Sequence, residues 1–75
     1  MLIMAYDKKR VIKAKTLYVT KNFTGKKDEK WAIVAETEGL AAEVVGVFPD
    51  EKTAVDALER AFGTFSDGAV SYRFD

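Results

Sequence analysis

The hydrophobic and polar positions of this chain alternate in several short stretches that predict β-strands. The predicted strands cover residues 2–6, 11–23, 31–37, 43–48 and 69–74. Each is rich in β-branched or aromatic side chains and lies between polar or glycine-containing segments, which is typical of strands joined by turns. In the last strand Val70, Tyr72 and Phe74 share one parity, so we expect these three side chains to face the core.

The second predicted strand changes its phase in the middle. Its first half places Ile12 and Ala14 on one parity, whereas its second half places Leu17 and Val19 on the other. An unbroken strand would therefore turn one of these apolar pairs toward solvent. One extra residue at positions 15–16, a β-bulge, would return both pairs to the core.

The clearest helical pattern follows the only proline of the chain. Asp50 is a favourable N-cap, and Gly63 is a natural residue just beyond a helix C-terminus. Between these two residues the apolar side chains fall at helical spacing on one face. They are Ala54, Val55, Leu58, Ala61 and Phe62. The pattern predicts one amphipathic helix whose apolar face packs on a sheet.

Together these elements predict a single α+β domain over residues 1–75. The predicted fold is an antiparallel β-meander of about five strands, in the order β-β-β-β-α-β, with one helix packed on one face. Such a short chain leaves no room for a second domain. With the segment FPDEKTAVDAL (residues 48–58) closing a small meander, the chain resembles many short uncharacterised bacterial and prophage proteins. The resemblance implies no activity and no site residues.

The third and fourth predicted strands are apolar on both faces. One helix covers about half of one face of a five-stranded sheet, so the second set of apolar side chains needs another cover. This set is predicted to be Ala32, Val34, Val45 and Val47. Either the sheet curls into a half-barrel, or a second copy packs on the set and forms a homo-oligomer, first of all a dimer. Gly46 indicates a bulge or a close approach of another element.

The charges of the chain are divided along its length, although the formal net charge is zero. Residues 1–31 carry nine basic and three acidic side chains, and residues 32–75 carry three basic and nine acidic ones. Such asymmetry indicates either an anionic partner for the basic half or two halves that neutralise one another on folding. We favour the second interpretation.

A basic cluster surrounds the first predicted hairpin. It comprises Lys8, Lys9, Arg10, Lys13 and Lys15, with Tyr18 as an outward aromatic ring on the same strand. Cations beside a ring that can stack are typical of sheets that bind single-stranded nucleic acid. However, the isoelectric point is near 6.2, and lysines on edge strands also prevent unwanted pairing. Nucleic-acid binding is therefore the alternative hypothesis for this chain.

The residue types present argue against catalysis. The chain has no histidine and no cysteine, which removes the usual general base, the thiolate nucleophile and the common zinc ligands. Its only serines, Ser66 and Ser71, have no histidine to activate them. The lysines of TGKK (residues 24–27) lack the rest of a phosphate-loop motif. We therefore expect no enzyme, no cofactor and no metal site.

The apolar start MLIMAY is too short for a membrane span or a signal-peptide core. A cytoplasmic protein without membrane contact is therefore expected. The functional hypothesis is a non-catalytic interaction or oligomerisation module, whose other protein partners the sequence does not name.

Overall fold

The computed structural model describes residues 1–74, which form six strands and one helix. In chain order they are β1 (Leu2–Met4), β2 (Val11–Lys13), β3 (Thr16–Lys21), β4 (Trp31–Glu36), β5 (Ala42–Phe48), α1 (Glu51–Ser66) and β6 (Ser71–Arg73). Sheet 1 has the order β2-β1-β6, in which β1 is antiparallel to β2 and parallel to β6. Sheet 2 is antiparallel with the order β3-β4-β5. The α+β class is confirmed, with two small sheets where one meander was predicted.

The predicted second strand is divided between the two sheets at its change of phase. The backbone N–H of Lys15 donates to the carbonyl oxygen of Glu36 at 2.7 Å, while Thr16 is the residue opposite Glu36 in the ladder. Two residues therefore oppose one, which is a β-bulge at the predicted positions. The four side chains that indicated this bulge all lie in the core or pack on it: Ile12, Ala14, Leu17 and Val19.

A second bulge lies in β5. Ile33 is opposite Gly46, and the next pair along the ladder is Val34 and Val44. Val45 is therefore the extra residue, and its side chain is fully buried in the core. The prediction that Val45 faces outward was wrong, because the bulge turns this residue inward.

Gly46 also lies where the core approaches the backbone closely. A Cβ atom at this position would lie 3.0 Å from Cε2 of Phe48 and 3.6 Å from Cβ of Phe74. The first distance is shorter than ordinary van der Waals contact between carbons. Packing of Phe48 therefore explains why a glycine stands within this strand.

The helix begins where predicted and ends later. The carboxylate oxygen Oδ1 of Asp50 accepts hydrogen bonds from the backbone N–H of Thr53 at 2.8 Å and from its hydroxyl at 2.7 Å. At the other end α1 continues beyond Gly63 to its C-cap at Asp67. Gly68, with φ of 96°, is the left-handed residue that stops the chain from continuing as a helix.

The helix packs on the sheets through small side chains. Ala54, Ala57 and Ala61 are the buried residues of α1, and they belong to one core with residues of both sheets. Alanine allows the helix axis to approach the sheets closely. The larger side chains that were predicted to pack on the sheet therefore lie at the edge of the contact between the helix and the sheets. Phe62 is 73% exposed. The prediction that Val70 faces the core was wrong: this residue lies one position before β6 and is 75% exposed.

Candidate self-association surface

The outer face of sheet 2 carries most of the predicted self-association residues. Its side chains stand in three rows across β3, β4 and β5, which are Thr16-Glu36-Ala42, Tyr18-Val34-Val44 and Thr20-Ala32-Val47. Ala32 and Val34 are only 1% and 8% exposed, although neither belongs to the core cluster that contains the buried alanines of the helix. Their row neighbours on the same face cover them. Of the predicted residues only Val47 remains partly accessible, so this face offers little apolar area to a second copy.

A more accessible apolar surface lies on the other side of β3, in a groove between this strand and α1. The groove has a volume of about 550 Å³, and its apolar lining is Met1, Leu17, Leu58, Phe62 and Phe65. Lys15 and Glu59 are the charged residues of its wall. Because β3 is the edge strand of sheet 2, the groove lies beside a free sheet edge.

The backbone of β3 presents hydrogen-bonding groups to this free edge. The N–H of Asn22 donates to the carbonyl oxygen of Lys30 at 2.8 Å, in the register of the β3–β4 ladder. Alternate residues of an antiparallel ladder bond to the partner strand. Even-numbered residues of β3 therefore bond to β4, and the main-chain groups of Leu17, Val19 and Lys21 point away from the sheet. Within residues 1–74 no strand pairs with this edge.

The basic cluster of the first hairpin is partly engaged within the chain. Nη1 of Arg10 lies 2.9 Å from Oε1 of Glu43, and Nη2 donates to the carbonyl oxygen of Val44 at 3.0 Å. The same Nη2 lies 3.3 Å from Oδ2 of Asp7. The hydrogen bond to Glu43 is the main cause that raises the pKa of Arg10 above its usual value. Arg10 thus joins the basic half of the chain to the acidic half.

Two further lysines of the cluster share a hollow with carboxylates. Lys13 and Lys15 are exposed and line a hollow of about 360 Å³ together with Glu38 and Glu43. A phosphate at this hollow would meet two negative side chains beside two positive ones. The local charge therefore favours neutralisation within the chain over capture of an anion.

The remaining members of the cluster lie apart. Lys8 and Lys9 are exposed in the turn after β1, where Lys8 has a φ of 62° and the N–H of Lys9 donates to Asp7. Tyr18 lies in sheet 2, on the outer face opposite Val34. The structure therefore does not assemble the six predicted residues into one patch.

The groove beside β3 was missed at the level of sequence, although the sequence carries a signal for it. Leu58, Phe62 and Phe65 recur at i, i+4 and i+7, which defines a second apolar stripe on the helix next to the alanine stripe. A helix with one stripe of small residues and another of large ones can bury the first and leave the second accessible.

The described residues 1–74 contain no helix long and apolar enough to cross a membrane. In the same range no three side chains of the metal-binding types lie together. Comparison of the chain with protein-family models, with curated proteins and with solved structures finds no match.

Proposed function

We propose that this chain is a non-catalytic interaction module that assembles with a second copy of itself through the groove beside β3. The observation that carries the proposal is the position of Phe62. Its ring is 73% exposed at an apolar groove that borders an unpaired sheet edge. Transfer of an aromatic side chain from water into a contact contributes about 1.5–3 kcal/mol, so this surface favours association.

The unpaired edge supports a second copy as the occupant of the groove. A strand edge with free N–H and C=O groups binds another strand, and two copies of β3 satisfy each other in the antiparallel direction. The strand is TLYVTK, in which five of the six residues are β-branched, aromatic or aliphatic. Homodimers that form through an edge need no further partner chain to complete the contact.

The composition of the groove supports a contact surface more than a reaction site. Its wall is apolar apart from Lys15, Thr16 and Glu59. An acid and a base that act in one reaction need a partner group that orients them or shifts their pKa. The chain supplies neither a histidine nor a cysteine for that purpose.

A pair of variants at exposed apolar residues tests the proposal. Phe62→Asp places a charge at the groove, and Leu40→Asp places the same charge at a residue that is 94% exposed in the turn between β4 and β5 and does not line the groove. We expect the wild-type mass in light scattering to rise with concentration toward twice the chain mass, and Phe62→Asp to remain monomeric. The control should behave as the wild type. Equal masses for the two variants would contradict the proposal.

The nucleic-acid alternative has no comparable observation in its favour. The guanidinium of Arg10 is held by Glu43 and Asp7, and the hollow that contains Lys13 and Lys15 also contains carboxylates.

A further inference from the structure

We infer that two copies pair their β3 strands antiparallel about a two-fold axis at Val19, so that Lys21 of each copy lies beside Glu59 of the other. This inference rests on the proposed self-association and specifies its geometry. The result is one continuous six-stranded sheet with both helices on the same side, because a two-fold axis perpendicular to a sheet preserves its faces.

The face that each side chain occupies limits the possible registers. Residues directly opposite each other in a ladder lie on the same face, so odd residues of β3 must oppose odd residues and even ones must oppose even ones. Two symmetric registers then pair most of the strand, with the axis either at Tyr18 or at Val19. Both use the free main-chain groups of the odd-numbered residues.

Main-chain hydrogen bonding distinguishes the two registers. An axis at Tyr18 places Lys21 opposite the partner's Lys15. Lys15 precedes β3, and its N–H already donates to β4 at the bulge, so the free main-chain groups of Lys21 find no matching pair there. An axis at Val19 instead places Lys21 opposite the partner's Leu17, so that all three odd-numbered residues of β3 pair with the partner strand. The bulge at the start of β3 thus favours the axis at Val19.

The favoured register brings Lys21 to a carboxylate. Lys21 has the same parity as Leu17, so the side chain of the partner's Lys21 lies on the helix side of the sheet, beside Leu17. Leu17 lines the groove whose acidic residue is Glu59. The other charged residue of the groove, Lys15, also borders the hollow that contains Glu38 and Glu43, so Glu59 is the carboxylate that the groove offers to the partner's Lys21. This contact lies at the rim of an apolar surface, where screening by water is reduced.

Lys21 and Glu59 of the same chain do not meet. Lys21 lines a different hollow, with Phe23 and Trp31, at the far end of β3 from the groove residue Thr16. At about 3.3 Å per residue the two ends of the strand are about 17 Å apart. A favourable contact between these two charges therefore arises between copies.

The size of the contact indicates a reversible dimer. A strand of six residues is about 20 Å long, and the smallest extent of the molecule is 19 Å. The product of these two lengths is about 400 Å² of contact area per copy. The exposed ring of Phe62 adds to this area, so the two copies together bury about 1,000 Å². Three residue pairs form across the axis: Leu17 with the partner's Lys21, Val19 with the partner's Val19, and Lys21 with the partner's Leu17. Each pair exchanges two main-chain hydrogen bonds, which makes six in total. An interface of this size is at the low end for specific complexes. We therefore expect a dissociation constant on the order of micromolar.

Charge reversal in separate chains tests the register. Lys21→Glu alone places two carboxylates at each contact, and Glu59→Lys alone places two ammonium groups there. We expect each variant to raise the dimer dissociation constant about tenfold in sedimentation equilibrium. An equimolar mixture of the two variants should recover the wild-type constant, since both contacts of the heterodimer then join opposite charges. Lys9→Glu, the same reversal at an exposed lysine in the turn beside β5, on the other side of sheet 2 from β3, is the control and should leave dimerisation unchanged.

The outcomes separate this inference from the proposed function. If Phe62→Asp abolishes association while neither charge variant changes it, the register is wrong and the self-associating surface stands. If each charge variant weakens association but the mixture does not recover it, the contact between Lys21 and Glu59 is overturned. If Val47→Glu, on the outer face, weakens association and the charge variants do not, the copies pack face to face and the edge pairing is contradicted. A wild type that is monomeric at every concentration contradicts the proposed function itself.

Discussion

Arg10 and Glu43 connect the first hairpin of the molecule to β5, with Nη1 of the arginine 2.9 Å from Oε1 of the glutamate. The same guanidinium donates to the carbonyl oxygen of Val44, beside the bulge of that strand. The backbone N–H of Tyr6 donates to the carbonyl oxygen of Val45 at 2.8 Å. Sheet 1 is therefore attached to sheet 2 at the bulge, by one main-chain bond and one arginine.

We expect a double-mutant cycle on Arg10→Ala and Glu43→Ala to give a coupling of about 0.5–1 kcal/mol in urea unfolding, because about a third of each side chain is exposed. Arg10→Ala alone should cost more than Glu43→Ala, since it also loses the bonds to Val44 and Asp7. A coupling of zero would show that the ion pair does not hold the two sheets together.

Substitution of Gly46 tests the close approach of Phe48. Gly46→Ala should destabilise the fold by about 1–3 kcal/mol, because the new Cβ requires the phenylalanine ring to move. Gly63→Ala is the matched control: this glycine lies inside α1 with nothing within 4 Å of an added Cβ. There the same change should stabilise by about 0.5–1 kcal/mol through helix propensity. Thermal unfolding measures both, and equal shifts at the two positions would contradict the packing described for Phe48.

The cap of the helix predicts an acid-sensitive part of the stability. The hydrogen bond from the backbone N–H of Thr53, followed by that from its hydroxyl, lowers the pKa of Asp50 below its usual value. A carboxyl whose pKa is lower in the folded state stabilises the fold above the unfolded pKa of about 3.9, and this contribution is lost as the pH falls through the folded pKa. Asp50→Asn keeps a cap acceptor and removes the titration. Its melting temperature should therefore fall less than that of the wild type between neutral pH and about pH 3.

Asp7 acts in the same direction, because the backbone N–H of Lys9 lowers its pKa as well. Asp50→Asn should thus remove only part of the acid sensitivity, and Asp7→Asn a further part. Identical pH profiles for the wild type and the double variant would contradict both assignments.

The period of the apolar positions located the segments that form strands and the start of the helix, but it joined β2 and β3 into one strand and did not reveal the division into two sheets. The phase change between Ala14 and Leu17 correctly indicated a bulge, since one inserted residue exchanges the faces of a strand. A bulge inside one strand and a bulge where the chain passes from one sheet to another have the same local pattern. Only the pairing of Ile12 with Ile3 and of Leu17 with Ala35 distinguishes them, and these contacts are distant in sequence.

The candidate site shows a similar limit. Self-association was predicted from two-sided apolar strands, and the outer residues Ala32 and Val34 turned out to be covered by their own row neighbours. The accessible apolar surface lies instead at Phe62, which the helical pattern placed on the packed face. A helix that carries a row of alanines beside a row of large apolar side chains can pack either row on a sheet. Neither composition nor periodicity reveals which of the two rows is buried.

Nucleic-acid binding is tested by titration of labelled single-stranded DNA and RNA at low and at moderate salt. We expect no binding that depends steeply on salt, because Arg10 is paired and Lys13 and Lys15 lie near Glu38 and Glu43. A protein that neutralised several phosphates would lose affinity by orders of magnitude as salt rises. Such a loss, removed by substitution of Lys13 and Lys15, would support the alternative function.

The mass of the wild-type chain as a function of its concentration tests self-association most directly. Sedimentation equilibrium from about 1 µM to about 1 mM spans the dissociation constants that a contact of this size allows. We expect the average mass to rise from that of one 8.4 kDa chain toward that of two. A mass that stays at one chain over the whole range would contradict the proposal that this molecule assembles with itself.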